Sequence, residues 1–169
     1  HQSSADDFCA TVCLGWGRAD MGQLGISPAQ LAVYDSDQRS SNGRGLRFPQ
    51  PLPGLAGATG ADGAASLESE RLGEVWCGAE HTVVCDDACG LLYSAGWNDH
   101  GTLGLGDEAK PEPRPDAAGQ PSDAWSVYTW TPVVTVDGAH LALPSIYEGY
   151  LAAGGAHCIA VTTIDDHHT

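Results

Sequence analysis

Two histidines stand in matching surroundings. His81 ends the run Cys77-Gly78-Ala79-Glu80-His81 and leads into Thr82-Val83-Val84, while His157 ends Ala153-Gly154-Gly155-Ala156-His157 and leads into Cys158-Ile159-Ala160. Imidazole titrates near neutrality and is a common metal ligand, so a converging pair could move protons or hold a metal. Both rings occupy one Gly-x-x-His frame, 76 residues apart. Repeat symmetry therefore sets them at like positions on different units, each expected to bond backbone near its own turn. Of the six cysteines, Cys9 and Cys13 are four apart, as are Cys85 and Cys89, with Cys77 and Cys158 beside the histidine frames. That spacing lacks the two-residue gap of structural zinc knuckles. The cysteines are expected to pack as small buried hydrophobes, which suits a reducing compartment. Asp165-Asp166-His167-His168 has the right ligand types but reads as a solvated tail. No nucleophile elbow, phosphate loop, dinucleotide fingerprint or His-Glu-x-x-His run is present. No enzyme active site, metal or cofactor is expected.

The second candidate group is Trp97-Asn98-Asp99-His100. A tryptophan in a turn beside a carboxylate and an imidazole is suited to anchoring a protein partner, since tryptophan is enriched among interface hot spots. Trp125 and Trp130 flank Val127-Tyr128-Thr129, and their spacing puts them on opposite faces of a strand. One is expected in the core and the other at the surface, so Trp125 joins the candidate partner-binding set.

These groups must be positioned by a repeat. Gly17, Gly22, Leu24 and Gly25 recur as Gly96, Gly101, Leu103 and Gly104, with Gly22 and Gly101 separated by 79 residues. Gly78 and His81 recur as Gly154 and His157. Two interleaved motifs with nearly one period indicate a repeat architecture. The segments between are strands: Leu72–Cys77, His81–Cys85 and Leu91–Ala95 are short runs with β-branched or aromatic residues, joined by a turn ending at Gly90. Leu46–Leu52 carries two prolines and reads as an edge strand. Thr131–Val134 supplies a closing strand, and only Ala65–Arg71 has weak helical periodicity.

Cys77-Gly78-Ala79-Glu80-His81-Thr82, Tyr93-Ser94-Ala95-Gly96, Gly22-Gln23-Leu24-Gly25 and Thr131-Pro132-Val133 resemble, in order, the regulator-of-chromosome-condensation repeat. The resemblance implies an all-β propeller of four-stranded blades, normally seven in a ring. The chain holds about two blade-equivalents, in segments 8–84 and 91–163, with loop insertions at about 27–71, 107–126 and 137–145 and a tail at 164–169. Two blades cannot close a ring. The expectation is a partial propeller over 1–169, the C-terminal part of a longer ring, whose partners include the remaining blades in cis or an equivalent chain. The run Gly96-Trp97-Asn98-Asp99-His100-Gly101 is similar to a last-blade run of the propellers that assist diphthamide synthesis and tRNA wobble-uridine modification. A related secretion-regulating exchange factor shares it, and this chain departs from both in having Asp99 for glutamate.

Charge narrows the function. With 22 acidic against 7 basic residues the net charge is −15, and beyond residue 84 the basic side chains are Lys110 and Arg114. Phosphate backbones are bound by lysine and arginine, so no nucleic-acid partner is expected, nor a membrane one. The Lys110–Pro115 stretch, with alternating prolines, is expected to run extended as a stiff surface loop. The reading is a non-catalytic protein-interaction scaffold in cytoplasm or nucleus. The resemblance implies an accessory factor in diphthamide synthesis or wobble-uridine modification, with a small modification-pathway protein as partner. The alternative is a guanine-nucleotide exchange factor whose partner is a small GTPase.

Overall fold

The computed structural model describes residues 13–36, 44–52, 72–86, 89–106, 114–115, 121–122, 125–143 and 150–161. In chain order these form β1 (Leu14–Arg18), α1 (Pro28–Ser36), β2 (Gly45–Pro51), β3 (Leu72–Cys77), β4 (His81–Asp86), β5 (Leu92–Trp97), β6 (Arg114–Pro115), β7 (Pro121–Ser122), β8 (Ser126–Pro132), β9 (Tyr150–Ala153) and β10 (Cys158–Val161).

The centre is one complete antiparallel blade, β3-β4-β5-β8. All six residues of β4, His81-Thr82-Val83-Val84-Cys85-Asp86, are buried. Alternation sends Val84 to one face, with Tyr93, Ala95 and Trp130, and Val83 and Cys85 to the other, with Leu92 and Leu143. A strand covered on both faces reads as an unbroken apolar run, which is what the sequence shows. On either side stands half a blade: β1-β2 before it and β9-β10 after it.

The halves repeat the centre residue by residue. β1 and β2 pair Leu14 with Pro51, Gly15 with Gln50, Gly17 with Leu46 and Arg18 with Gly45. β5 and β8 pair Tyr93 with Pro132, Ser94 with Thr131, Gly96 with Val127 and Trp97 with Ser126. The register breaks at the same place in both, next to Gly17 and Gly96, whose φ values are 95° and 126°. A bulge that recurs in each copy is part of the repeat. β9 and β10 likewise copy β3 and β4. Both Gly-x-x-His turns close with the glycine N–H donating to the histidine carbonyl, at 2.8 Å in each.

Adjacent units are stitched at two seams. At the first, Tyr128 donates to the Asp20 carbonyl at 3.0 Å and Arg18 Nη1 reaches Glu80 Oε1 at 3.1 Å. Gly22, at φ 87°, lies under the backbone carbonyl of Val127, and Gly25 lies against the Trp130 indole; a Cβ at either would collide. At the second seam the Ala79 N–H donates to the Gly154 carbonyl at 3.1 Å, and His81 Nε2 lies 3.0 Å from Cys158 Sγ. The His81 side chain thus meets the next unit rather than backbone near its own turn, because Gly78 leaves room for the ring to lie over it. Burial, reinforced by the charge of His157, pushes the His81 pKa down, and burial pushes the Cys158 thiol up. The seam is built for the neutral forms of both.

Some expectations are revised. Residues 28–36, inside the expected first insertion, form a helix. Ser27 and Gln30 cap it reciprocally: the Ser27 N–H donates to Gln30 Oε1 at 2.9 Å and the Gln30 N–H to Ser27 Oγ at 3.3 Å. The weak 65–71 window lies outside the described residues. The closing strand starts at Ser126, five residues before Thr131, because Val127, Thr129 and Thr131 continue its β-favouring alternation. The excursion at 137–145 is no free loop as far as residue 143. It folds back so that Leu141 N–H donates to Val133 carbonyl at 2.7 Å, and Leu143 enters the core. Within 107–126, Arg114–Pro115 pairs antiparallel with Pro121–Ser122. Among the described cysteines, only Cys85 packs as a buried hydrophobe; Cys77 and Cys89 are exposed, and Cys13 and Cys158 are half-buried. Cys85 alone sits in an interior strand, where both faces are covered. Cys9 and the tail lie outside the described residues.

Two outcomes follow for stability. Gly22→Ala should lose about 1–3 kcal/mol from backbone strain and more from displacing β8. Gly101→Ala carries similar strain, at φ 71° with nothing within 4 Å, and should cost less; urea denaturation compares the two. Because His81 has a folded pKa below its ordinary 6.5, the unfolded chain binds the extra proton first, and this contribution is lost as pH falls below that value. Urea midpoints between about pH 7.5 and 5.5 should drop more in the parent than in His81→Gln.

Candidate partner-binding surface

Asn98–Gly104 is a double turn locked by its own backbone and one side chain. The Gly101 N–H donates to the Asn98 carbonyl at 3.1 Å and the Gly104 N–H to the Gly101 carbonyl at 3.0 Å. Asn98 is buried, and its Oδ1 accepts the Leu103 N–H at 3.0 Å. Beneath, Ser94 Oγ donates to the Leu103 carbonyl at 2.7 Å. Asn98 was a candidate for touching a partner; its amide oxygen instead fixes the turn that presents its neighbours.

Those neighbours are Trp97, Asp99, His100 and Trp125. Trp97 ends β5, its N–H held by the Glu80 carbonyl at 2.8 Å. Its ring meets His100 edge-on, with centroids 6.2 Å apart and planes at 64°. His100 Nε2 lies 3.4 Å from Asp99 Oδ2, both reached by solvent. Trp125 is exposed, and its carbonyl accepts the Asn98 N–H at 2.7 Å. The five sequence candidates therefore come together on one rim, with Asn98 as the internal brace. Trp130, by contrast, is buried, so the two flanking tryptophans divide between surface and core.

The rim offers two indoles, a carboxylate and an imidazole on a rigid turn. Such a surface can fill apolar depressions and pair with a basic side chain; it holds no activated nucleophile. Its counterpart in the preceding half-blade, Arg18-Ala19-Asp20-Met21, has a second duty. There Asp20 and Met21 receive the side chains of Tyr128 and Ser126, while Arg18 stays largely exposed beside Glu80. Here Trp97 is half-buried and His100 exposed. His81 and His157 stand at like positions on adjacent units, with His157 exposed. Among the described residues no three His, Cys, Asp or Glu side chains are grouped to hold a metal.

Two grooves between units were not visible in the sequence. One, of about 200 Å³, lies between β1-β2 and the central blade and is lined by Cys13, Trp16, Leu24, Val75 and Trp130. The other, of about 400 Å³, lies between the central blade and β9-β10, lined by His100, Leu103, Val134, Leu151, Cys158 and Ala160. Repeat offsets could have indicated them: Val75, Thr82 and Val84 of the first are Leu151, Cys158 and Ala160 of the second.

No family model matches the chain. It is 38% identical over 158 residues to the secretion-regulating guanine nucleotide exchange factor of Mus musculus, a match covering 90% of this chain and 26% of that protein. The Bos taurus protein of the same name is 35% identical over 107 residues, covering 59% of this chain and 20% of that protein. The ultraviolet-B receptor UVR8 of Arabidopsis thaliana is 27% identical over 151 residues, 89% of this chain and 23% of that one. The crystal structure of Kap60 bound to yeast RCC1 (Prp20) superposes with a TM-score of 0.53 at 23% identity, over 88% of this chain and 25% of that one. The chain thus spans about a quarter of the length of the relatives it matches. The chain belongs to the RCC1-repeat propeller family.

Proposed function

We propose that this chain is part of a protein-interaction propeller that serves a small GTPase as a guanine-nucleotide exchange factor. One observation carries the reading: the 38% identity with the murine secretion-regulating guanine nucleotide exchange factor extends over 90% of this chain. The rim of Trp97, Asp99, His100 and Trp125 supports it by offering aromatic anchors on a turn that needs no ordering on binding. The net charge of −15 favours a partner with a basic patch and disfavours nucleic acid. Such a partner places the work in cytoplasm or nucleus. Among the described residues no helix is long and apolar enough to cross a membrane. The accessory role in diphthamide synthesis or wobble-uridine modification rests on the Gly96–Gly101 run alone, which the exchange-factor branch shares, so it takes second place.

The two readings separate on nucleotide. Purified small GTPases, nucleotide-free or loaded, are presented to the immobilised chain and to the longer propeller that contains it. Capture of a nucleotide-free GTPase that excess GDP or GTP releases is the expected result, with Trp97→Ala weakening capture roughly tenfold while the far-UV β signal persists. Binding of a modification-pathway protein indifferent to nucleotide, with no GTPase captured by either form, would overturn the exchange-factor reading.

A further inference from the structure

The turn after the third strand occurs twice, and the two copies treat the same carboxylate differently. Asp20 and Asp99 hold one repeat position, 79 residues apart. In the first unit the carboxylate is filled from within the turn: Arg18 Nε lies 2.5 Å from Asp20 Oδ1, and its Nη1 lies 3.1 Å from Glu80 Oε1. In the second unit Trp97 stands at the position of Arg18, and Ala156 at that of Glu80. The carboxylate is kept while its guanidinium is replaced by an indole. Among the described residues the group within ion-pair distance of Asp99 is the His100 imidazole, with Nε2 3.4 Å from Oδ2. We propose that Asp99 and Trp97 together seat an arginine side chain of the partner protein, its guanidinium taking on Asp99 the place that Arg18 takes on Asp20. This deepens the partner-surface reading and rests on it, but does not require the partner to be a GTPase.

The first unit shows that a guanidinium can lie against the carboxylate at this point of the turn. The second unit adds an aromatic ring beside it. A cation is drawn to the face of an indole, which has the strongest pull of the aromatic side chains. A guanidinium is planar and weakly hydrated and stacks on such rings, whereas an ammonium is a compact, strongly hydrated charge. The pairing of one carboxylate with one indole therefore selects arginine over lysine.

Access and rigidity agree with this. The side chains of Asp99 and His100 are 33% and 65% exposed, and Trp97 is half-buried, so the incoming group meets the carboxylate where water competes only in part. His100 approaches one carboxylate oxygen and leaves the other for the incoming N–H. Asn98 and Ser94 already hold the turn through the Leu103 peptide, so little ordering is needed on binding. The net charge of −15 attracts any cation to the chain. Discrimination between cations must come from the turn itself.

The test needs no identified partner. The isotope-labelled chain is titrated with N-acetyl-arginine amide, with N-acetyl-lysine amide and with N-acetyl-citrulline amide, the uncharged isostere of arginine, and followed by NMR. The Trp97 indole N–H and the Asp99 and His100 amides should move saturably with arginine, with half-saturation on the order of millimolar. Lysine should bind several-fold more weakly, and citrulline should leave these signals in place. Asp99→Asn should weaken the arginine response roughly tenfold. Trp97→Arg should supply the turn with its own guanidinium, as in the first unit, and abolish the response of the Asp99 and His100 amides while the far-UV β signal persists. Equal responses to arginine and lysine would overturn the proposal, because they report only attraction to an acidic chain. So would an arginine response that survives Asp99→Asn, or none that saturates. These signals do not depend on capture of a GTPase, so the arginine seat and the exchange-factor reading fail separately.

Discussion

A four-stranded blade with two apolar faces cannot cover either by itself. In this chain that constraint is concentrated in β4, whose six buried residues supply side chains to both faces. One face is sealed by the preceding half-blade, through Leu52 packed on Val84, Tyr93 and Trp130; the other receives Leu151 and Cys158 from the following one. Burying an apolar side chain contributes about 1.5–3 kcal/mol relative to leaving it exposed, so the stability of each unit is set largely by its neighbours. The glycines of the repeat serve this contact. Gly22 and Gly25 are small because Val127 and Trp130 of the next unit occupy the volume a side chain would need.

The same constraint shapes the binding rim. The turn after the third strand must be rigid to seat an outer strand, and Asn98 and Ser94 make it so by hydrogen bonding the Leu103 peptide on either side. Rigidity required by the seam is then available to a partner. In the preceding unit the same turn gives both Arg18 and Met21 to the seam, through Glu80 and Ser126, whereas here Trp97 is half-buried and His100 exposed.

Much of the fold was legible because period and polarity agree. β3 was read with its observed limits, β4 to within one residue, and the Gly-x-x-His turns and the edge character of β2 followed from glycine and proline chemistry. What was missed lay where a local signal was overridden or unnoticed. The Ser27-Pro28-Ala29-Gln30 sequence is a capping box with proline at the first helical position, and it starts α1 despite that helix's weak amphipathicity. The return of Leu141 and Leu143 to the core was hidden by Gly138 and the charge at Asp137, which mark a turn and not the end of ordered chain. Asn98 was grouped with its exposed neighbours because composition cannot distinguish a carboxamide facing solvent from one closing a turn. The His81–Cys158 contact joins residues on different units, and no local reading of either could supply it.

Amide hydrogen exchange, measured strand by strand at low protein concentration, tests this account most directly. If neighbouring units bury the central blade on both faces, the amides of β4 and β5 should exchange most slowly, with those of β1 and β10 faster because each has one bonded neighbour among the described residues. Exchange in β4 as fast as in β10 would contradict it, since the strand on which both seams converge would then be no better protected than an edge.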